Sequence, residues 1–145
     1  MAPPTRPSAT VDAVVQLSFA IQARLATLAA GHDLSLTQLR ALGALRDRRP
    51  TMQALAEHLG LTKSSLSGLI DRAEGRGLVR RVPDEADGRT VRVELTDEGR
   101  SAAATLTAAV NEAVDLLLEP LSATDRATIT RIARRLTAPP PSPPP

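Results

Sequence analysis

Cysteine, tryptophan and tyrosine are absent from this chain. Phe19 is its one aromatic residue and Lys63 its one lysine. Without cysteine there are no disulfides, no thiolate metal ligands and no thiol redox sensor. With one aromatic ring, the core has to be built from Leu, Val, Ile and Ala, a mix that suits packed helices. No apolar run approaches the roughly 18 residues of a membrane span, and no apolar signal segment follows Met1. A cytoplasmic protein is therefore expected. Histidine occurs twice, as His32 and His58, and neither has a second ligand at metal-binding spacing. There is no Gly-rich phosphate loop and no nucleophile elbow, and Ser64, Ser65 and Ser67 have no evident general base. No catalytic residue, metal or cofactor is expected, so the chain does not read as an enzyme.

The charge that is present is unevenly placed. The net charge is +2 over 145 residues. Between Thr37 and Arg92, 11 Lys+Arg stand against 7 Asp+Glu, while the rest holds 7 against 9. The middle is thus basic and the flanks slightly acidic, which is the sense of a nucleic-acid footprint. The length is that of one domain. Proline gathers at both ends, in MAPPTRPSA and TAPPPSPPP, which are expected to be disordered over 1–9 and 138–145.

Between those ends the apolar spacing predicts six helices and one hairpin. The first helix runs from Thr10 to about Ala30, ended by Gly31. A second starts at a Thr37 cap and stops at Pro50. A third starts at Thr51 and ends at Gly60, and a fourth starts at Thr62 and is closed by Gly77. Two β-favouring runs follow, Leu78 to Pro83 and Thr90 to Leu95, joined by a turn rich in charge. A fifth helix begins after a Thr96 cap with acids in its first turn, and Pro120 marks its end. The sixth is capped by Ser122, with Asp125 completing a capping box. The architecture is therefore mainly α with a small β-hairpin, and a further short strand is expected between the second and third helices.

The third and fourth helices are joined only by Gly60-Leu61-Thr62, as in a helix-turn-helix. In that motif the start of the second helix enters the major groove. Here it carries Thr62, Lys63, Ser64, Ser65, Ser67 and Gly68, small donors and one cation that let the backbone approach DNA closely. A hairpin directly after such a helix reads as a wing. Arg89 would stand at its tip, suited to the narrow, electronegative minor groove. Asp87 is expected to hold the wing by bonding Arg81 and the loop amides, with Asp84 and Glu85 facing solvent. Arg40, Arg46, Arg48, Arg49, Arg72, Arg80 and Arg92 are candidates for phosphate contacts. Phe19, Arg24, His32 and Arg46 are candidates for lining a ligand cleft between the first, second and fifth helices.

These fragments together carry a resemblance. Leu55-Ala56, Leu61-Thr62, Ser65-Leu66-Ser67, Asp71-Arg72, Gly77-Leu78-Val79-Arg80-Arg81, Asp87-Gly88-Arg89 and Leu95-Thr96…Gly99 resemble the MarR (multiple-antibiotic-resistance regulator) family of winged helix-turn-helix proteins. The match runs from about Leu34 to Gly99. It implies a homodimer held by the first and last two helices (10–33 and 97–137), a DNA-binding region over 34–96, Arg89 as the minor-groove arginine and Asp87 as its partner. It also implies a pseudo-palindromic operator and a ligand-responsive repressor, with an aromatic or anionic small molecule as effector. The chain departs from the family pattern at Gly68, where larger and often basic residues are common, and at Ala73 and Gly75. The family's usual aromatic ligand-binding side chains are reduced here to Phe19. Two other readings stay open: an architectural DNA binder without an operator, and a winged-helix interaction module that binds no DNA.

Overall fold

The computed structural model describes residues 8–138, so most of both proline-rich ends lies outside the described residues. The order is α1 (Ala9–Gly31), α2 (Leu36–Leu45), α3 (Met52–Leu59), α4 (Lys63–Gly75), β1 (Val79–Pro83), β2 (Val91–Leu95), α5 (Asp97–Leu118) and α6 (Ala123–Thr137). The strands pair antiparallel, with Val79 opposite Leu95 and Pro83 opposite Val91. The short strand expected between α2 and α3 is only a single bridge, Thr51 to Arg92. Pro50 lies at that point and has no amide hydrogen with which to extend a ladder.

Helix starts follow capping chemistry. Thr51, Thr62, Thr96 and Ser122 each accept a backbone N–H with the side-chain oxygen, as their sequence positions predict. Two starts differ from expectation. Ser8 caps α1, so the helix begins at Ala9, inside the stretch assigned to disorder. Ser35, not Thr37, caps α2, because Gln38 reaches back to the Ser35 amide and completes a capping box.

Three helices end on one device. Asp33, Gly60 and Gly77 take the left-handed conformation, with φ of 56, 68 and 72°. Each donates its N–H back into the last helical turn, and so does the leucine after it: Leu34 to Ala29 O, Leu61 to Ala56 O and Leu78 to Ala73 O. This is the Schellman closure. All three leucines pack against the core. Gly31 was expected to end α1 but remains helical. The apolar anchor is Leu34, and Asp33 before it is one of the few residues besides glycine that tolerate positive φ.

The core joins Leu39, Leu42 and Leu45 of α2, Leu55 and Leu59 of α3, Leu66, Leu69 and Ile70 of α4, and Val79, Val93 and Leu95 of the hairpin. Ala103 and Leu106 of α5 and Ala29 of α1 close it from above. The rest of α1, α5 and α6 is different. Val14, Phe19, Leu116, Ile132 and Leu136 are exposed, and α6 buries no residue. The expectation that nothing approaches a membrane span needs correction. By length and composition α1 and α5 are apolar enough to cross one, with mean hydropathy of 1.4 and 1.2 over 18-residue windows. Interspersed alanines raise the average without forming an unbroken apolar run.

Candidate nucleic-acid interface

The start of α4 projects from the core on a buried stripe. Leu66, Leu69, Ile70 and Ala73 face inward, while Thr62, Lys63, Ser64 and Ser65 are exposed and Ser67 and Gly68 half-buried. The Thr62 hydroxyl is occupied by the cap. It accepts the Ser65 N–H at 3.2 Å and lies 2.9 Å from Ser65 Oγ. Lys63 and the remaining hydroxyl capacity of Ser64 are left pointing outward. A side chain at Gly68 would meet only the Arg72 guanidinium, at 3.5 Å, so the shortened residue opens space on this face.

The hairpin is fixed to α4 through Arg81. Its guanidinium pairs with Glu74 and, at 2.8 Å, with Asp71, and lies 3.4 Å from the Ser67 carbonyl. Burial works to lower the Arg81 pKa, but Asp71 and Glu74 outweigh it and hold the group above its ordinary value. The expected Asp87–Arg81 contact does not form. Arg81 lies on the strand face turned to the helix, whereas Asp87 is in the turn, where it accepts the Arg89 N–H at 3.1 Å and the Thr90 hydroxyl at 3.2 Å.

Asp84 is likewise not a solvent-facing group. Its carboxylate accepts the Ala86 N–H at 2.8 Å and the Asp87 N–H at 3.2 Å, and it pairs with Arg92. Those contacts lower its pKa, the Ala86 amide contributing most. Asp84 and Asp87 thus build the turn in series, and Arg89 is left exposed with no ion pair among the described residues. The sequence signal for Asp84 was its place at the end of a strand, where a short carboxylate can bond amides two and three residues on.

The candidate phosphate arginines divide into two groups. Arg40, Arg48 and Arg72 are exposed and enter no ion pair among the described residues. The others are engaged: Arg46 with Asp47, Arg49 and Arg80 with Glu94, and Arg92 with Asp84 and the Arg49 carbonyl. Glu94 is not singled out by the sequence, where it is one of the two alternating charges in VRVEL.

A cleft of about 240 Å³ lies between α1, α2 and α5, lined by Leu25, Leu39, Arg46, Leu106, Val110 and Asn111 among others. Of the candidate lining residues it includes Arg46. Phe19, Arg24 and His32 are exposed and do not line it.

A helix pair joined through a left-handed glycine, followed by a hairpin packed on the second helix, defines a winged helix-turn-helix protein. The MarR family profile matches residues 32–90. The repressor NicR of Pseudomonas putida is 30% identical over 105 residues, 72% of this chain and 66% of its own. The transcriptional regulator HosA of Escherichia coli is 33% identical over 105 residues, 72% of this chain and 78% of its own. The chain thus spans just under two thirds of NicR. Among solved structures, the PcaV regulator of Streptomyces coelicolor, in complex with its natural ligand, superposes with a TM-score of 0.71 at 26% identity, covering 94% of this chain and 96% of PcaV. The chain belongs to the MarR family of transcriptional regulators.

Proposed function

We propose that this protein is a homodimeric, sequence-specific DNA-binding regulator, acting as a ligand-responsive repressor in the cytoplasm. The carrying observation is that the exposed first turn of α4 and the exposed guanidinium of Arg89, without an ion pair among the described residues, belong to one domain with a single core. In this reading Thr62 to Gly68 enter a major groove, with Thr62 and Ser65 setting the helix start rather than reading bases. Arg89 enters the flanking minor groove. Arg40, Arg48 and Arg72 contact phosphates, while Arg46 and Arg49 are partly held back by their own carboxylates. The apolar faces of α1, α5 and α6 form the dimer interface, since patches of that extent on a regulator fit a partner copy. A two-fold dimer then calls for a pseudo-palindromic operator with half-sites roughly one helical turn apart. The kinship with NicR, a repressor, and with PcaV, solved with its natural ligand, supports both the repressor role and an effector. An anionic effector fits the cleft, where Arg46 offers a bidentate partner for a carboxylate.

The test is fluorescence anisotropy on the DNA upstream of the protein's own gene, at about 150 mM salt, with random DNA as competitor. A regulator is expected to prefer its operator by on the order of 10³ or more. Arg89→Ala is expected to weaken operator binding by roughly ten- to a hundredfold, the range of one lost specific contact. Binding that random DNA abolishes would favour the architectural reading. Unchanged affinity of Arg89→Ala would remove the wing assignment.

A further inference from the structure

Glu94 is the one charged residue that is buried among the described residues, at 5% exposure. An isolated carboxylate there would be costly, and the reason it is tolerated is visible. Oε1 accepts from Arg80 of β1, at 2.6 Å from Nε and 2.5 Å from Nη2, and Oε2 meets Nε of Arg49 at 2.9 Å. Arg80 belongs to the hairpin. Arg49 belongs to the connector between α2 and α3, two residues before the Thr51 cap of α3. The carboxylate therefore joins the wing to the segment that starts the helix-turn-helix.

Two further links run between the same segments. Arg92 of β2 donates to the Arg49 carbonyl at 2.7 Å while its Nε holds Asp84 at the root of the turn. The Val93 N–H donates to the Pro50 carbonyl at 3.0 Å. On the other face, the hairpin is held by Val79, Val93 and Leu95 in the core and by Arg81 on α4. The wing is thus pinned on both faces, and among the described residues the only buried group doing so on its outer face is Glu94.

We propose that Glu94 is a positioning residue for the wing, fixing where Arg89 stands relative to the Lys63–Gly68 face by bridging Arg80 and Arg49. This rests on the DNA-binding reading above. A wing free to swing would leave Arg89 unable to reach the minor groove while α4 occupies the major groove, so preorganisation would be lost without the loss of any DNA contact. A pair buried on one side is suited to this role. Exposed ion pairs contribute little, but removing one partner of a buried set leaves the others unbalanced and mobile.

The experiment combines amide exchange with a double-mutant cycle. Glu94→Gln keeps the shape and removes the charge, and Glu94→Asp keeps the charge but cannot span both arginines. In both, exchange of the Val93 N–H is expected to speed up at least tenfold, with the Leu66 and Ile70 amides unchanged. Operator affinity, on a site selected from random sequences, is expected to fall about tenfold in each variant. In an Arg89→Ala background the same substitutions are expected to change affinity by less than twofold, because Glu94 acts through Arg89. A fall of equal size in both backgrounds would overturn the proposal in favour of a general loss of fold. A gain in both for Glu94→Gln would overturn it in favour of a net-charge effect. Unchanged Val93 exchange would overturn it whatever the DNA result. If the wild-type protein shows no preference for any site, the regulator reading fails, and Val93 exchange still decides whether the clamp exists.

Discussion

Among the glycines of the described residues, Gly99 is the one with the least room for a side chain. A Cβ there would stand 1.8 Å from the Leu78 carbonyl oxygen and 2.8 Å from its carbon, both backbone atoms. The approach is set by Thr96, which donates its hydroxyl to the Gly77 carbonyl, donates its N–H to Leu78 O, and caps α5 by accepting the Gly99 N–H at 3.0 Å. The motif LTDEG is therefore a junction of the α4 end, the hairpin and α5. Gly99→Ala is expected to cost about 3 kcal/mol, the upper end of ordinary overpacking, because backbone cannot rotate away as a side chain can. Urea denaturation checks this, and a midpoint within error of wild type would contradict the close approach. Arg81 teaches the complementary lesson. Sequence placed it with Asp87, since both lie in the hairpin. Strand alternation instead turns it to α4, where Asp71 and Glu74, one helical turn apart, receive it.

The hairpin as an element depends on a carboxylate that sequence reading had set aside. Asp84 has a pKa below the ordinary 3.8, held there first by the Ala86 amide and then by Arg92. A group depressed in the folded state contributes stability that is full above its unfolded value and is lost as pH falls through the folded value. The wing is therefore expected to hold its turn at neutral pH and to loosen only below about pH 4. Following the Ala86 and Asp87 amide signals by NMR checks this. They are expected to move together as pH falls below 4, and to be displaced already at pH 7 in Asp84→Asn. Amides that stay fixed through that range would show that the turn does not depend on the ionised carboxylate. The helix ends were more legible. Gly60 and Gly77 are followed by leucine and close their helices as glycine does. Asp33-Leu34 follows the same pattern without glycine, and for that reason the left-handed closing residue of α1 is Asp33, two positions beyond the Gly31 that the sequence suggests.

For the molecule as a whole, the single chain leaves its three longest helices half finished. Ile129, Ile132 and Leu136 are exposed on a helix with no buried residue, and Val11, Val14 and Phe19 are exposed on α1. A 15-residue helix is not stable alone in water without an apolar face packed on something. In a two-fold dimer every interface substitution occurs twice. Ile132→Glu is therefore expected to weaken dimerisation by roughly a hundredfold or more, since an unpartnered polar group costs about 1–3 kcal/mol at each of the two copies and an unpaired carboxylate costs more. Light scattering after gel filtration checks this across concentration. A variant that stays dimeric would remove α6 from the interface.

The number of helices, most of their caps, the hairpin and the family could all be read from the sequence. Those features depend on neighbours within about four residues: a threonine before an apolar stripe, a glycine after one, a charged turn between two β-favouring runs. The pairing of charges depended on tertiary structure alone. Seventeen arginines and one lysine offer sixteen carboxylates many partners, and spacing cannot choose among them. Arg49 meets Glu94 and Arg76 meets the Asp33 carbonyl across 45 and 43 positions of chain. Only the fold brings such residues within hydrogen-bond distance, because strand alternation and helix packing decide which side of an element each charge occupies. That selection is what leaves Arg89 at the wing without an ion pair among the described residues and commits Glu94 to its base.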